Sequence, residues 1–211
     1  MIYHHWEAGV GLLFLSNRTS EYILSLRRGV SATREFSPQE IYLINIFNIP
    51  ENDIKFAKAD KCIYLSNIVS NPAIQLKLLA DAAFLFAEIG NIERAENIFG
   101  NRFLPLMSFE GIEVQNEAAE LAQFIKKCYA ESGENEPGDD VKMILIMKKC
   151  FDDEITEEDL AFAGKTMENN WCDFALRREM CILLLKSHTA YKYLKNVDAA
   201  PKAHLLTYEQ P

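Results

Sequence analysis

Along most of the chain apolar residues recur at intervals of three and four, the spacing that gathers them on one side of an α-helix. Ile54, Ala57, Cys62, Leu65 and Ile68 form one such stripe, broken by Lys61. Helix starts are marked between these stretches. Ser37-Pro38-Gln39-Glu40 offers an N-cap serine, proline at the first helical position and glutamate three after the cap. Asn71-Pro72 opens a second helix in the same way. Thr156-Glu157-Glu158-Asp159 places carboxylates at the positive end of a third. The pattern predicts helices over about 5–16, 20–29, 38–48, 51–69, 72–89, 91–105, 112–131, 140–151, 156–169 and 171–195. Short turns between such helices make neighbours antiparallel.

The expected fold is therefore all-α. One alternative stays open at the N-terminus. Val10 to Leu15 and Tyr22 to Arg28, separated by Ser16 to Ser20, also read as a β-hairpin within the first 30 residues. Glu131 to Asp140, rich in Glu, Gly, Asn and Pro, reads as a linker. It suggests a helical-hairpin domain over 1–131, an acidic loop at 132–139, a C-terminal helical lobe over 140–196 and a flexible tail over 197–211.

Composition narrows the class. Nine glycines and seven prolines in 211 residues favour long elements over a many-turned β architecture. The five cysteines (Cys62, Cys128, Cys150, Cys172 and Cys181) show no C-x-x-C spacing, so neither a disulfide framework nor a zinc knuckle is indicated. Reduced, buried thiols and a cytoplasmic location are expected. The net charge is −9, with nearly all of the excess acid in residues 107–211. Such a body repels phosphate backbones, so no nucleic-acid partner is expected. The apolar run from Gly9 to Leu15 is too short to span a bilayer, and no membrane association is expected. Arg18, Arg27, Arg28 and Arg34 cluster early, opposite in sign to the later half, and invite pairing with it within a chain or between copies.

Residues 79–99, running from Leu79 through Gly90 to Phe99, resemble a tetratricopeptide repeat. Leu79, Ala82, Ala83 and Phe86 match on the first helix, Gly90 at the turn, and Ile92, Ala95 and Phe99 on the second. Small Ala82, Ala83 and Ala95 suit close helix approach, and Gly90 suits a left-handed helix end. The likeness covers about one repeat. Arg102 and Met107 depart from it, and no second copy follows at the family's period. It implies an irregular stack of antiparallel helical hairpins, a TPR-like superhelix. By position it implies partner-binding residues Lys77, Ala80, Phe84, Ala87 and Glu88 on the first helix, while the apolar character of 72–89 favours a core role for Phe84.

Chemistry-bearing motifs are scarce. In its hairpin form the N-terminal stretch resembles the opening strands of Nudix hydrolases, but that family's Glu-rich magnesium motif is missing, with only Arg34-Glu35 in its place. His4-His5 lacks further ligands nearby, so no metal is expected. Cys181 and His188 stand two helical turns apart, about 10 Å, too far for proton transfer. The acids from Asp152 to Asp159 lack the alternation of a calcium loop and suit a helix start or a basic partner. No catalytic residue and no cofactor is expected. The reading is a non-catalytic adaptor, scaffold or chaperone-like module that takes a peptide or helix of a partner protein, basic if charge steers it. A self-assembling homo-oligomeric subunit and a small all-helical enzyme are the alternatives.

Overall fold

The computed structural model describes residues 19–107, 112–133, 136–152, 154–169, 171–172 and 174–186. Among these the chain is mainly helical and contains no strand. Its contacts divide it between Ile98 and Phe99. The first unit contains α1 (Thr19–Gly29), α2 (Pro38–Phe47), α3 (Glu51–Ser66), α4 (Pro72–Glu88) and α5 (Ile92–Ile98). The second contains a π-helical stretch (Phe99–Phe103), α6 (Leu104–Met107), α7 (Ile112–Ser132), α8 (Asp139–Phe151), α9 (Glu157–Glu168) and α10 (Phe174–Lys186).

Tyr22 to Arg28 lies inside α1, so the hairpin alternative fails for that stretch. Tyr22 and Leu26, one turn apart, are both buried against Leu43, Ile54 and Ala57, a contact the 3.6-residue period allows and a strand would split between two faces. The predicted helix at 5–16 and the tail at 197–211 lie outside the described residues. The expected linker at 132–139 joins α7 to α8, which pack on each other inside the second unit; the division of the chain comes earlier, where α-helix gives way to π-helix.

In the first unit α3 and α4 form the most extensive helix pair, with α1 against α3 and α5 against α4. Small residues explain the fit. Ala57 and Ala59 on α3 and Ala80, Ala82, Ala83 and Ala87 on α4 are all buried, and Phe56 meets Phe86 edge to face at 5.5 Å. Asn71 caps α4 by accepting from the amides of Ala73 and Ile74. Gly90 ends the α4 turn with φ +80, a conformation that suits glycine.

One polar knot lies within this apolar packing. Lys58 of α3 and Glu40 of α2 are 0% and 1% exposed, with Nζ and Oε2 2.6 Å apart. The other two ammonium protons go to Ser31 Oγ at 2.7 Å and the Glu35 carbonyl at 2.8 Å. Glu40 is satisfied in turn. Its carboxylate accepts from the amides of Ser31 (2.6 Å) and Ser37 (2.7 Å), the second bond completing the capping box of α2. Lys61, one turn on from Lys58, donates to the Val30 carbonyl just past the end of α1. Two lysines of α3 thus hold both ends of the connection between α1 and α2.

In the second unit α8 is central. Val141, Met143, Ile144, Ile146, Met147 and Cys150 are buried, and α7, α9, α10 and the π-helical stretch all pack against it. A Cβ on Gly100 would fall 2.1 Å from Asp140 Oδ2, so the π-helical stretch leaves room there for the first turn of α8. The other Asp140 oxygen accepts from Trp171 Nε1 at 2.7 Å. Thr156 and Asp159 form the capping box that starts α9. No helix among the described residues is long and apolar enough to cross a membrane.

Burial pushes the Glu40 carboxyl up, but hydrogen bonds from Lys58, Ser37 and Ser31 and the Lys58 charge outweigh it and leave the group below the ordinary carboxylate value. Its stabilisation is present above the ordinary value and is lost as pH falls through the lowered native one. Lys58→Met, which leaves Glu40 buried without its cation, is expected to cost about 3–5 kcal/mol in urea unfolding. The double variant Glu40→Gln/Lys58→Met should recover part of that loss and lose less stability than wild type on acidification below about pH 4.

Candidate interaction surfaces

Two stretches of the first unit and one groove of the second combine exposure with distinctive chemistry. The first is α2, which is apolar on nearly every side. Glu40, Leu43 and Ile44 face inward, and Phe47 follows them on the same helical side at its rim. Ile41, Tyr42, Asn45 and Ile46 occupy the opposite side. Ile41 is 47% exposed, Tyr42 48%, Ile46 62% and Phe47 40%. Tyr42 and Phe47 touch edge to face, ring centres 5.9 Å apart. Glu40 is the single charged residue of this helix and it is buried, so the exposed side carries no charge. The other exposed large apolar residues of the unit, such as Leu24, Tyr64, Ile68 and Ile74, lie on other elements or turns.

The second stretch is the side of α4 that contains the residues implied by the repeat resemblance. The structure separates them. Ala80 and Ala87 are buried in the core, Lys77 is exposed, and Phe84 and Glu88 are half-buried. Lys77, Asp81, Phe84 and Glu88 follow one another at four, three and four, so they form one stripe. Arg34, from the connection between α1 and α2, lies across its C-terminal end. Its guanidinium carbon is 4.4 Å from the Phe84 ring centre, and Nε and Nη2 both reach Glu88 Oε1 at 2.7 Å. Lys55 Nζ approaches the other Glu88 oxygen at 3.2 Å and is itself 2.8 Å from Glu51.

Asp81 differs from its neighbours. Burial, and then the charge of Glu35, raise its carboxyl above the ordinary value, against the opposing charges of Lys77, Arg34 and Lys58.

The groove of the second unit, about 600 Å³, lies among α7, α8, α9 and the segment before α8. Its charges are mostly matched. Lys142 reaches Glu136 at 2.9 Å and lies 5.7 Å from the Phe162 ring centre, and Lys149 bonds both oxygens of Asp159 at 2.8 Å. Burial raises the Asp159 carboxyl, but bonds from Lys149 and Thr156 outweigh it and hold the group below its ordinary value. Of the acidic run from Asp152 to Asp159, this residue thus serves a helix cap and an internal lysine.

The early arginines find partners nearby. Arg27 pairs with Asp60 at 2.9 Å and lies over Tyr64, and Arg34 pairs with Glu88, all within the first unit. Arg18 lies outside the described residues, as do His4, His5, His188 and His204. Burial pushes the Cys62 thiol up to about 12 and that of Cys181 to about 11, which keeps both protonated and poorly nucleophilic near neutral pH. Among the described residues no group of three or more His, Cys, Asp or Glu side chains could hold a metal ion.

Sequence reasoning did not single out the exposed side of α2, or Asp81. A signal existed for both. Six of the ten residues of α2 are large and apolar, more than one buried side can accommodate, and Asp81 falls on the helical angle shared by Lys77, Phe84 and Glu88. No family model, curated protein or solved structure matches the chain.

Because the fold disfavours the ionised form of Asp81, this residue lowers stability above its raised pKa, and the penalty disappears below the ordinary carboxylate value. Asp81→Asn is therefore expected to raise the melting temperature at pH 7 and leave it unchanged near about pH 3. A lower melting temperature at pH 7 would instead mark Asp81 as a stabilising partner.

Proposed function

We propose that this protein is a non-catalytic interaction module and that the exposed side of α2 docks an apolar helix of a partner protein. The observation that supports this most directly is the exposure of Ile41, Tyr42 and Ile46 on the uncharged outer side of one short helix, with Phe47 exposed beside Tyr42 at its end. Contiguous apolar surface of this kind marks interaction sites in soluble proteins. Covering four half-exposed side chains of this size contributes roughly 1 kcal/mol each, enough for a contact of moderate affinity once association entropy is subtracted. The aromatic pair Tyr42 and Phe47 provides rigid anchors of the kind that dominate interface energetics.

The position of α2 suits this role. Its inner side is held by Leu43 and Ile44 in the core and by the Glu40–Lys58 pair, so the outer side is presented on a fixed element. Docking is of the helix-against-helix type, in which the partner supplies apolar residues at i, i+3, i+4 and i+7. A strongly charged partner surface would gain nothing at this spot.

Ile46→Lys tests the proposal. The side chain is mostly exposed, so the variant should fold, as circular dichroism can verify. A partner recovered in stoichiometric amount with wild type should be lost with Ile46→Lys, and amides of α2 should gain protection from hydrogen exchange in the complex. Equal recovery with both forms would remove α2 as the site. Concentration-dependent self-association abolished by the same substitution would replace this reading with that of a self-assembling subunit.

A further inference from the structure

The α4 stripe already has a guanidinium in place, and its parts are those that recognise one. A planar cation lies 4.4 Å from the centre of the Phe84 ring, and two of its nitrogens share one oxygen of Glu88. Lys55 holds the remaining Glu88 oxygen, which fixes the carboxylate toward the arginine. Toward the start of the helix, half-buried Asp81 lies on the same side, within reach of the Arg34 charge.

We infer that the Asp81–Phe84–Glu88 stripe is an arginine-recognition site, that the chain fills it with its own Arg34, and that its external ligand is an arginine-bearing peptide segment of a partner. This surface is distinct from the exposed side of α2 and stands whether or not that side docks a helix.

The hold of Arg34 is built to be released. Its side chain is 40% exposed, and the ion pair to Glu88 and the cation–π contact with Phe84 are both of a kind that is weak near solvent. The backbone on either side is pinned independently, because the Ser31 N–H donates to Glu40 and Lys58 donates to the Glu35 carbonyl. Arg34 can therefore leave the stripe by side-chain rotation, with the connection between α1 and α2 unmoved. An incoming arginine repeats what Arg34 provided at Phe84 and Glu88. A second donor on the same peptide reaches Asp81, where exposed Glu35 adds negative charge and Lys77, one turn away, opposes it. A lysine peptide lacks the planar fork that both stacks on Phe84 and bridges to Glu88. Competition from Arg34 weakens binding by the fraction of time the site is free, roughly tenfold for contacts of this strength.

The test uses the full chain and two capped peptides, triarginine and trilysine, titrated by NMR or calorimetry. Arg34→Ala is expected to bind triarginine about tenfold more tightly than wild type and to prefer it over trilysine. Glu88→Gln or Asp81→Asn on that background should remove most of the gain, while Ile46→Lys leaves it intact. Should Arg34→Ala fail to fold, Arg34→Lys retains the charge and loses the fork, and is expected to open the site in the same direction. Equal affinity in wild type and the Arg34 variants overturns the inference. So does equal binding of the two peptides, or a gain that survives loss of Glu88 and Asp81, which would reflect diffuse attraction to a chain of net charge −9.

Discussion

The first unit depends on one buried ion pair. Lys58 and Glu40 are both out of contact with solvent, and each finds a hydrogen-bond partner for every strong direction it has. Burying two charges is unfavourable unless geometry and hydrogen bonding compensate, and a hydrophobic pair of the same volume can be as stable. What the ionic version supplies is definition. A methionine at 58 would pack, but it could not select the Glu35 carbonyl and the Ser31 hydroxyl over other groups. Through those bonds the pair fixes the course of the connection between α1 and α2, the first turn of α2, and hence which side of that helix faces outward.

The local part of this arrangement is legible in the sequence. Ser37-Pro38-Gln39-Glu40 announces a helix start, and the structure forms that capping box. The same glutamate has a second partner eighteen residues later, which no local pattern reveals, because a lysine at helical spacing normally reads as surface. The α3 stripe shows the same limit. Ile54, Ala57 and Cys62 are buried as their period implies, whereas Ile68 falls beyond the end of α3 and is exposed. Helix starts marked by Ser37, Asn71 and Thr156 lie where their side chains put them. Less strongly marked ends drift, as where 91–105 resolves into α5, a π-helical stretch and α6. Phe99, Phe103 and Met107 recur at four, which reads as ordinary α-helix, and the space that Gly100 leaves for Asp140 is a tertiary fact.

The binding residues divide along similar lines. A family resemblance selects positions by their place in a repeat, and so it paired Ala80 and Ala87 with Phe84 and Glu88. Packing of α3 and α5 on α4 decides differently, burying the alanines and leaving a stripe that includes Asp81. The charge asymmetry of the chain suggested arginines reaching toward the acidic later half. Short-range geometry satisfies Arg27 and Arg34 first, with Asp60 and Glu88, while Lys142 and Lys149 neutralise acids of their own unit. Closeness within the folded unit won over bulk charge because an exposed ion pair gains little from distant fields screened by salt.

The buried thiols turn the molecule into its own reporter. Cys62 lies in the core of the first unit, and Cys150 and Cys181 in that of the second, while Cys128 and Cys172 are half-buried. A sulfhydryl reagent supplied in excess therefore meets Cys62 only when the first unit opens, and Cys150 and Cys181 only when the second does. The modification rate at each position, read by mass spectrometry, gives a separate clock for the breathing of each half without any label being engineered into the chain.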